Sequence, residues 1–465
     1  MTSSVPVDVI GAGLAGSEAA WQLASRGIPV RLTEMRPADS TPAHHTASFA
    51  ELVCSNSLKS IDPNSAAGML KHEMDALGSL ILAAARHCSV PAGGALAVDR
   101  TAFSSLVTDV VSSHPLITVI NARADVVPSG PAIIATGPLT ADALADRLVS
   151  VTGEQGLSFY DAAAPIIDAA SLNRAVVFAA SRYDKGSGAD YLNCPMDRAT
   201  YERFIEALVA AQRVNAREFE NRELFQACQP VEEIARRGAD ALRFGPMKPV
   251  GLTDPQTGGR PWAVVQLRSE NRDATAYNLV GFQTNLTFAE QRRVFSMIPG
   301  LENADFLRYG VMHRNTFIDC PRLVTPTLAL RAMPEIRVAG QLLGTEGYME
   351  AAATGLLAAL HTYAAGSGED LEPLPTHTAL GSLIAYATDP TTSPYQPMHV
   401  NMGLLPSLET PVRGKRERYA AYAARASDAM EAWLQSNPRL TQDITRLRSS
   451  TLEAISQGEC HHARQ

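Results

Sequence analysis

The stretch VDVIGAGLAGSEAAWQLASRGIPVRLTEMRP, residues 7 to 37, decides the fold. Four residues of buried-strand pattern run into Gly11, Gly13 and Gly16, followed by an apolar helical pattern, a second short strand and Glu34. A dinucleotide site needs that order. Gly11 allows a tight turn, Gly13 lets the backbone approach a pyrophosphate, and Gly16 lets the helix pack close to the strand. Ala12, Leu14 and Ala15 complete the loop, so that the helix N-terminus faces the phosphates. Glu34 falls roughly twenty residues after the first glycine, where an acid meets a ribose hydroxyl, with Arg36 beside it. A glycine-rich turn in some other α/β protein would lack the second strand and its acid. On this stretch alone, NAD and FAD both remain open.

Working outward, 465 residues are long for one small core and predict two or three domains. A composition of 46% hydrophobic and 19% charged residues is that of a globular chain. The longest apolar runs, Leu80 to Ala85 and Ala351 to Leu360, fall far short of the ~20 residues a bilayer requires. The first strand begins within a few residues of Met1, which leaves no room for a signal peptide, so a cytoplasmic protein without a membrane partner is expected. A net charge of -8 disfavours indiscriminate nucleic-acid binding but not a local basic surface. Six cysteines occur without a C-x-x-C pair, which disfavours a zinc knuckle or a dithiol centre such as that of a disulfide reductase. No metal site is expected.

After Pro37, residues 38 to 60 form a polar loop containing HHTASFAELVCSNSLKS, and Ala66 to Ala85 read as one helix. A helix is expected to begin near Asp99, with short strands at Ile117 to Ala122, Ala124 to Pro128 and Ala132 to Thr136. The last ends in ATGP, and an A-T-G at a later strand end returns the chain to the cofactor in FAD proteins, so Thr136 and Gly137 are candidate contacts. A helix from Thr200 to Gln212, strands at Trp262 to Leu267 and Tyr277 to Gly281, and a helix near Thr287 follow. Segment 198 to 293 holds 14 basic against 12 acidic residues, with Arg236, Arg237, Arg243 and Lys248 close together. Such a cluster is either an RNA contact or a solvated helix face. In IRVAGQLLGTEGYMEAAATG, residues 336 to 355, a strand gives way to a glycine-containing loop and a small-residue helix. Gly340, Gln341, Gly347 and Tyr348 are its candidate contacts, since such a helix brings its N-terminus close to a ring and pyrophosphate. The cofactor domain is therefore split, with the middle of the chain inserted.

Two cysteines lie in polar company: Cys54 beside Ser55, Asn56 and Lys59, and Cys228 in FQACQPVEEIARRG before an arginine pair. Nearby cations and a helix N-terminus make a thiol nucleophilic, although either could equally be an inert core residue.

The set VIGAGLAGSEAA, TEMRP, HHT, ELVCSNSLKS, MLKHEMDALGS, VPAGGALAVDR, FQACQPVEEIARRG, LRFGPMKPVGL and GQLLGTEGYMEAAATG closely resembles one family. It is similar to the bacterial folate- and FAD-dependent methyltransferases that place the C5 methyl on the T-loop uracil (position 54) of tRNA. The match runs from residue 7 to about 360, and NMGLLP at 401 to 406 and the helical tail are also similar; Met69 stands where the pattern has leucine. The resemblance implies an α/β fold with a Rossmann-like, glutathione-reductase-like FAD-binding domain split by a smaller inserted α+β domain. The corresponding segments are 1–160 and 306–465 for FAD, and 161–305 for substrate and RNA. It also implies 5,10-methylenetetrahydrofolate as carbon donor, NADH or NADPH as reductant, tRNA as substrate, and no obligate protein partner. Cys54 and Cys228 match the two catalytic cysteines. Uracil C5 must be activated by thiolate addition at C6 and later lose its proton. C6 attack is assigned to Cys228 and the assisting base role to Cys54. His313 and Arg314 are candidates for the folate or flavin pocket. The rival expectations are a flavoprotein installing aminomethyl-type groups on wobble uridine, and a non-catalytic FAD-holding RNA-binding factor.

Overall fold

In the computed structural model, β1 (Val7–Ile10) lies inside a six-stranded sheet, parallel to β2 (Val30–Glu34) on one side and to Ala132–Ile134 on the other. Residues 5–41, 43–153, 157–162, 164–214 and 229–462 are described, with backbone alone at 157–162, 312–316 and 458–462. Ile117–Asn121 extends the sheet beyond β2, and Met333–Val338 extends it beyond Ala132–Ile134, both in parallel. The antiparallel strand Ala329–Leu330 ends it. Strands covered on both faces must be apolar almost throughout, which is why Val7, Val9, Ile10, Ile133, Ile134, Ile336 and Val338 are all buried. One sheet thus draws strands from both ends of the chain.

The helix α1 (Leu14–Ala24) is buried along its whole length and is crossed by the long helix Tyr348–Gly366. Two glycines set that closeness. A Cβ on Gly16 would fall on the carbonyl oxygen of Gly11, and one on Gly355 would fall on the backbone of Ala15. Glu18 of α1 is fully buried, yet it is satisfied. Its carboxylate accepts the Ser79 hydroxyl at 2.7 Å and the Leu80 and Ile81 N–H groups at 3.1 and 2.8 Å, capping the helix Leu80–His87. The expected single helix over 66 to 85 is therefore two, Ala66–Ala76 and Leu80–His87. The chain turns at Gly78, whose φ is 75°, and restarts at the Ser79 cap. Residues 124 to 128, read as a strand, form none. They follow the last ladder pair, Glu34 with Asn121, and so have no neighbour to pair with.

Strands between Ile166 and Arg308 build a second six-stranded, antiparallel sheet around the central strand Ala263–Ser269. Its own core gathers Tyr201, Phe204, Phe282 and Phe295, with residues of the helices Arg198–Ala210 and Phe288–Phe295. The chain crosses between the two sheets on an antiparallel pair, Leu157–Ala162 with Met312–Phe317. At the C-terminus, the helices Lys415–Gln435 and Pro438–His462 fold back onto the first sheet's helical layer, where Trp21 Nε1 donates to Thr451 Oγ1 at 3.1 Å.

Candidate active site

The glycine loop opens onto a cavity of about 660 Å³. Two helix N-termini meet it. Gly13 caps α1 with φ −71°, and nothing lies within 4 Å of where its Cβ would be, so the backbone there is bare toward the cavity. Gly347, with φ 120°, begins the helix Tyr348–Gly366. Between them, Gly340 adopts φ 75° and is held by Thr354 Oγ1 and Thr345 Oγ1, each at 2.8 Å. Uncapped N–H groups at two converging helix starts favour a ligand carrying negative charge.

Most residues chosen from the sequence converge here. Gly11, Gly13, Leu14, Ala15, Glu34, Arg36, Cys54, Thr136, Gly137, Gly340, Gln341, Gly347 and Tyr348 all line the cavity. Ala12 and Gly16 act behind it: Ala12 donates its N–H to Glu34 Oε2 at 2.7 Å, and Gly16 lets α1 approach its strand. Glu34 is further engaged by the Arg36 N–H and Nε, at 3.1 and 2.8 Å on Oε1. Burial works against its ionisation, but the Arg36 hydrogen bond and charge together with the Ala12 N–H outweigh it and hold the carboxyl below its usual range. Arg36 is itself a staple. Its guanidinium also reaches Ser48 O at 2.9 Å and Glu51 at 3.3 Å, tying the second strand to the loop that carries Cys54.

That loop is anchored at both ends. The Ala50 N–H donates to Ala12 O at 2.9 Å, and the N–H groups of Cys54 and Ser55 donate to the Tyr348 hydroxyl at 2.7 and 3.1 Å. Three arginines from distant elements surround it. Arg100 donates to Leu52 O, Arg308 to Val53 O, and Arg268 to Ser55 Oγ at 2.7 Å and Asn56 Oδ1 at 2.8 Å. Glu270 pairs with Arg100 at 2.7 Å. Burial lowers the pKa of Arg268 and Arg308, while for Arg100 it is outweighed by Glu270. The Cys54 environment is therefore cationic, as a reactive thiolate requires. Further along the chain Lys59, in a left-handed conformation with φ 65°, pairs with buried Glu350 at 2.6 Å.

Sequence reading missed Arg100, Arg268, Arg308 and Glu350. Arg100 and Glu350 lie within the segments VPAGGALAVDR and GQLLGTEGYMEAAATG, where nothing local singles them out, and Arg268 and Arg308 belong to no such segment. Cys228 lies outside the described residues. The described chain resumes at Gln229, and the Val231 N–H donates to the carbonyl of Gln283, a cavity residue, at 2.7 Å. Arg236, Arg237, Arg243 and Lys248 belong to the second sheet's domain and do not line the cavity. Arg236 donates to Val209 O at 2.6 Å, and Arg243 lies 3.7 Å from the Trp262 ring centroid. His313 and Arg314 sit on the crossing strand opposite Asp161 and Tyr160, and their side chains are outside the description.

Fold and cavity define an α/β protein with a dinucleotide cleft closed by a cysteine-bearing loop. The chain belongs to the family described as Glucose inhibited division protein A, whose model matches residues 6–370. The protein named methylenetetrahydrofolate--tRNA-(uracil-5-)-methyltransferase TrmFO of Synechococcus sp. (strain JA-3-3Ab) is 54% identical over 430 residues, covering 92% of this chain and 95% of that one. Its namesake from Shouchella clausii (strain KSM-K16) is 52% identical over 435 residues, covering 94% and 100%. The crystal structure of Aquifex aeolicus GidA in form II has the same fold, with a TM-score of 0.69 at 16% identity over 98% of this chain and 76% of that one.

Proposed function

We infer that this protein transfers the methylene carbon of 5,10-methylenetetrahydrofolate to C5 of a tRNA uracil, that of the T-loop at position 54, and reduces it to methyl. FAD fits the cavity. Gly13 is bare toward the ligand space, and both helix starts face that space. Bound there, FAD supplies the two reducing electrons, restored by NADH or NADPH.

The observation that carries this reading is the apposition of the Cys54 loop to the glycine-lined cleft, fastened through the Tyr348 hydroxyl and ringed by three guanidinium groups. Cys228 adds at uracil C6 and raises electron density at C5, which attacks the folate methylene. Cys54 removes the C5 proton as the bond from the methylene to the folate nitrogen breaks and tetrahydrofolate leaves; once the exocyclic methylene has taken up a hydride equivalent, Cys228 leaves as the C5–C6 double bond re-forms. Arg100, Arg268 and Arg308 surround the Cys54 loop with the positive charge that favours a thiolate.

Segments 1–160 and 306–465 hold the cofactor, and 161–305 presents Arg236, Arg237, Arg243 and Lys248 to RNA; His313 and Arg314 serve the folate side. Among the described residues no helix is long and apolar enough to cross a membrane, in keeping with a cytoplasmic enzyme. The test is incubation with unmodified tRNA, NADPH and folate labelled in its methylene carbon. Label in 5-methyluridine is expected. Label confined to the wobble position, or none with FAD and tRNA both bound, would overturn the assignment.

A further inference from the structure

An aromatic ladder runs inward from the protein surface through Phe288, Tyr309 and Phe306 to buried Phe295. Phe288, the first residue of the helix Phe288–Phe295, is 53% exposed and stacks on Tyr309 at 4.7 Å between centroids and 17° between planes. Tyr309 stacks in turn on Phe306 at 5.1 Å and 8°. Arg308, between these two rings in sequence, donates to Val53 O next to Cys54. Leu307 is 58% exposed beside them.

The ladder is held rigidly. Gln291, fully buried one turn into the same helix, donates from Nε2 to Gly310 O and accepts the Gly310 N–H at Oε1, both at 2.8 Å. Phe288 is thus a large ring half in water at the end of a fixed stack, beside exposed Leu307. It presents a flat face with no hydrogen-bond demand, which is how a protein receives an unstacked base irrespective of its sequence. The partner class follows from charge. Arg292 is exposed on the same short helix, and Arg308, next to Tyr309 in sequence, reaches the Cys54 loop that Arg100 and Arg268 also contact. An apolar ring leading into a run of cations suits a phosphate-linked base.

We propose that Phe288 and Tyr309 form a stacking platform for a nucleotide neighbouring the target uracil in the tRNA loop, and that the platform holds the loop open while the target enters the cavity. The proposal rests on the tRNA reading given above. A stacked base is worth about ten-fold in affinity or more. Phe288→Ala therefore raises the KM for tRNA by on the order of ten-fold, with kcat for bound tRNA much less affected.

Phe288→Leu separates stacking from simple apolar cover. Stacking predicts that Leu behaves like Ala and that Phe288→Trp restores the wild-type KM. A stem-loop RNA carrying 2-aminopurine beside the target uracil gives a second readout: its fluorescence is quenched on the wild-type enzyme and on Phe288→Trp, and much less on Phe288→Ala. If Leu matches Phe in KM and quenching, or if Ala changes neither, the platform is wrong even though the wild type methylates tRNA. If Phe288→Asp alters the sedimentation coefficient of the RNA-free protein, this face joins two copies of the chain and the proposal also fails. Absence of tRNA methylation by the wild type would instead remove the reading on which the proposal rests.

Discussion

The Tyr348 hydroxyl accepts the N–H groups of both Cys54 and Ser55, at 2.7 and 3.1 Å, across nearly three hundred residues of sequence. A side chain at the start of the second cofactor-facing helix thereby sets the position of the thiol. Burial and the nearby Cys54 charge raise the phenol's pKa, so it stays neutral. Tyr348→Phe leaves two N–H groups unsatisfied, a loss of about 1–3 kcal/mol in how firmly the loop is held. Methylation should fall by roughly ten-fold or more, with flavin content, read by absorbance of the purified variant, unchanged. Wild-type methylation by the variant would remove Tyr348 from this role.

The two fingerprint glycines should separate by phenotype. A Cβ at Gly13 meets nothing and its φ suits alanine, so Gly13→Ala should fold normally and lose flavin affinity. A Cβ at Gly16 falls on the backbone of Gly11, so Gly16→Ala should lower the melting temperature of the flavin-free protein as well. Thermal unfolding with flavin stripped from both variants checks this. Equal melting temperatures would contradict it.

Removing one cation from the Cys54 pocket should be visible in pH dependence. Arg308→Gln keeps a donor for Val53 O but deletes a charge that the Cys54 sulfur feels. The acid limb of the methylation rate profile should move to higher pH, with little change on the alkaline side. A uniform drop at all pH values would mean that Arg308 acts through packing alone.

Buried Glu73 caps the helix Ala379–Thr388 through the Ala379 and Leu380 N–H groups, at 2.6 and 2.8 Å. Burial raises its carboxyl to about 7 despite those bonds. The folded chain therefore holds this proton more tightly than the unfolded chain. Its contribution to stability is fullest below the ordinary carboxylate range and is lost as pH rises to about 7, on the order of 3 kcal/mol in all. His44 and His361, lowered to about 4 and about 3, chiefly by burial, tilt stability the other way. The readout is thus the difference in unfolding free energy between the wild type and Glu73→Gln. That difference should narrow from pH 5 to pH 8, and a constant gap would refute the protonated glutamate.

What could be read in the sequence was local. The fingerprint, the strand before Thr136 and the small-residue helix after Gly347 each announce themselves within about twenty residues, because turn geometry and helix packing are short-range demands. Glu34 was legible by spacing, but its clasp by Arg36 and the second bond from Arg36 to Glu51 were not, since they depend on how the Cys54 loop folds back. Arg100, Arg268 and Arg308 stand on three separate elements, and only the docking of the inserted sheet against the first brings them together. The break at Gly78 had a local signal, the Gly78 turn followed by the Ser79 cap, while the Glu18 carboxylate that holds the restart lies some sixty residues away.

The central claim is that a uracil C5–H bond is exchanged for a C5–methyl bond at this cavity. A double-label experiment tests it directly, with tRNA tritiated at uracil C5 and the folate methylene carrying ¹⁴C. One tritium should be released to water for each ¹⁴C methyl gained by the T-loop, with both lost together in Cys54→Ala and in Cys228→Ala. Carbon transfer without tritium release, or undiminished transfer in both variants, would contradict it.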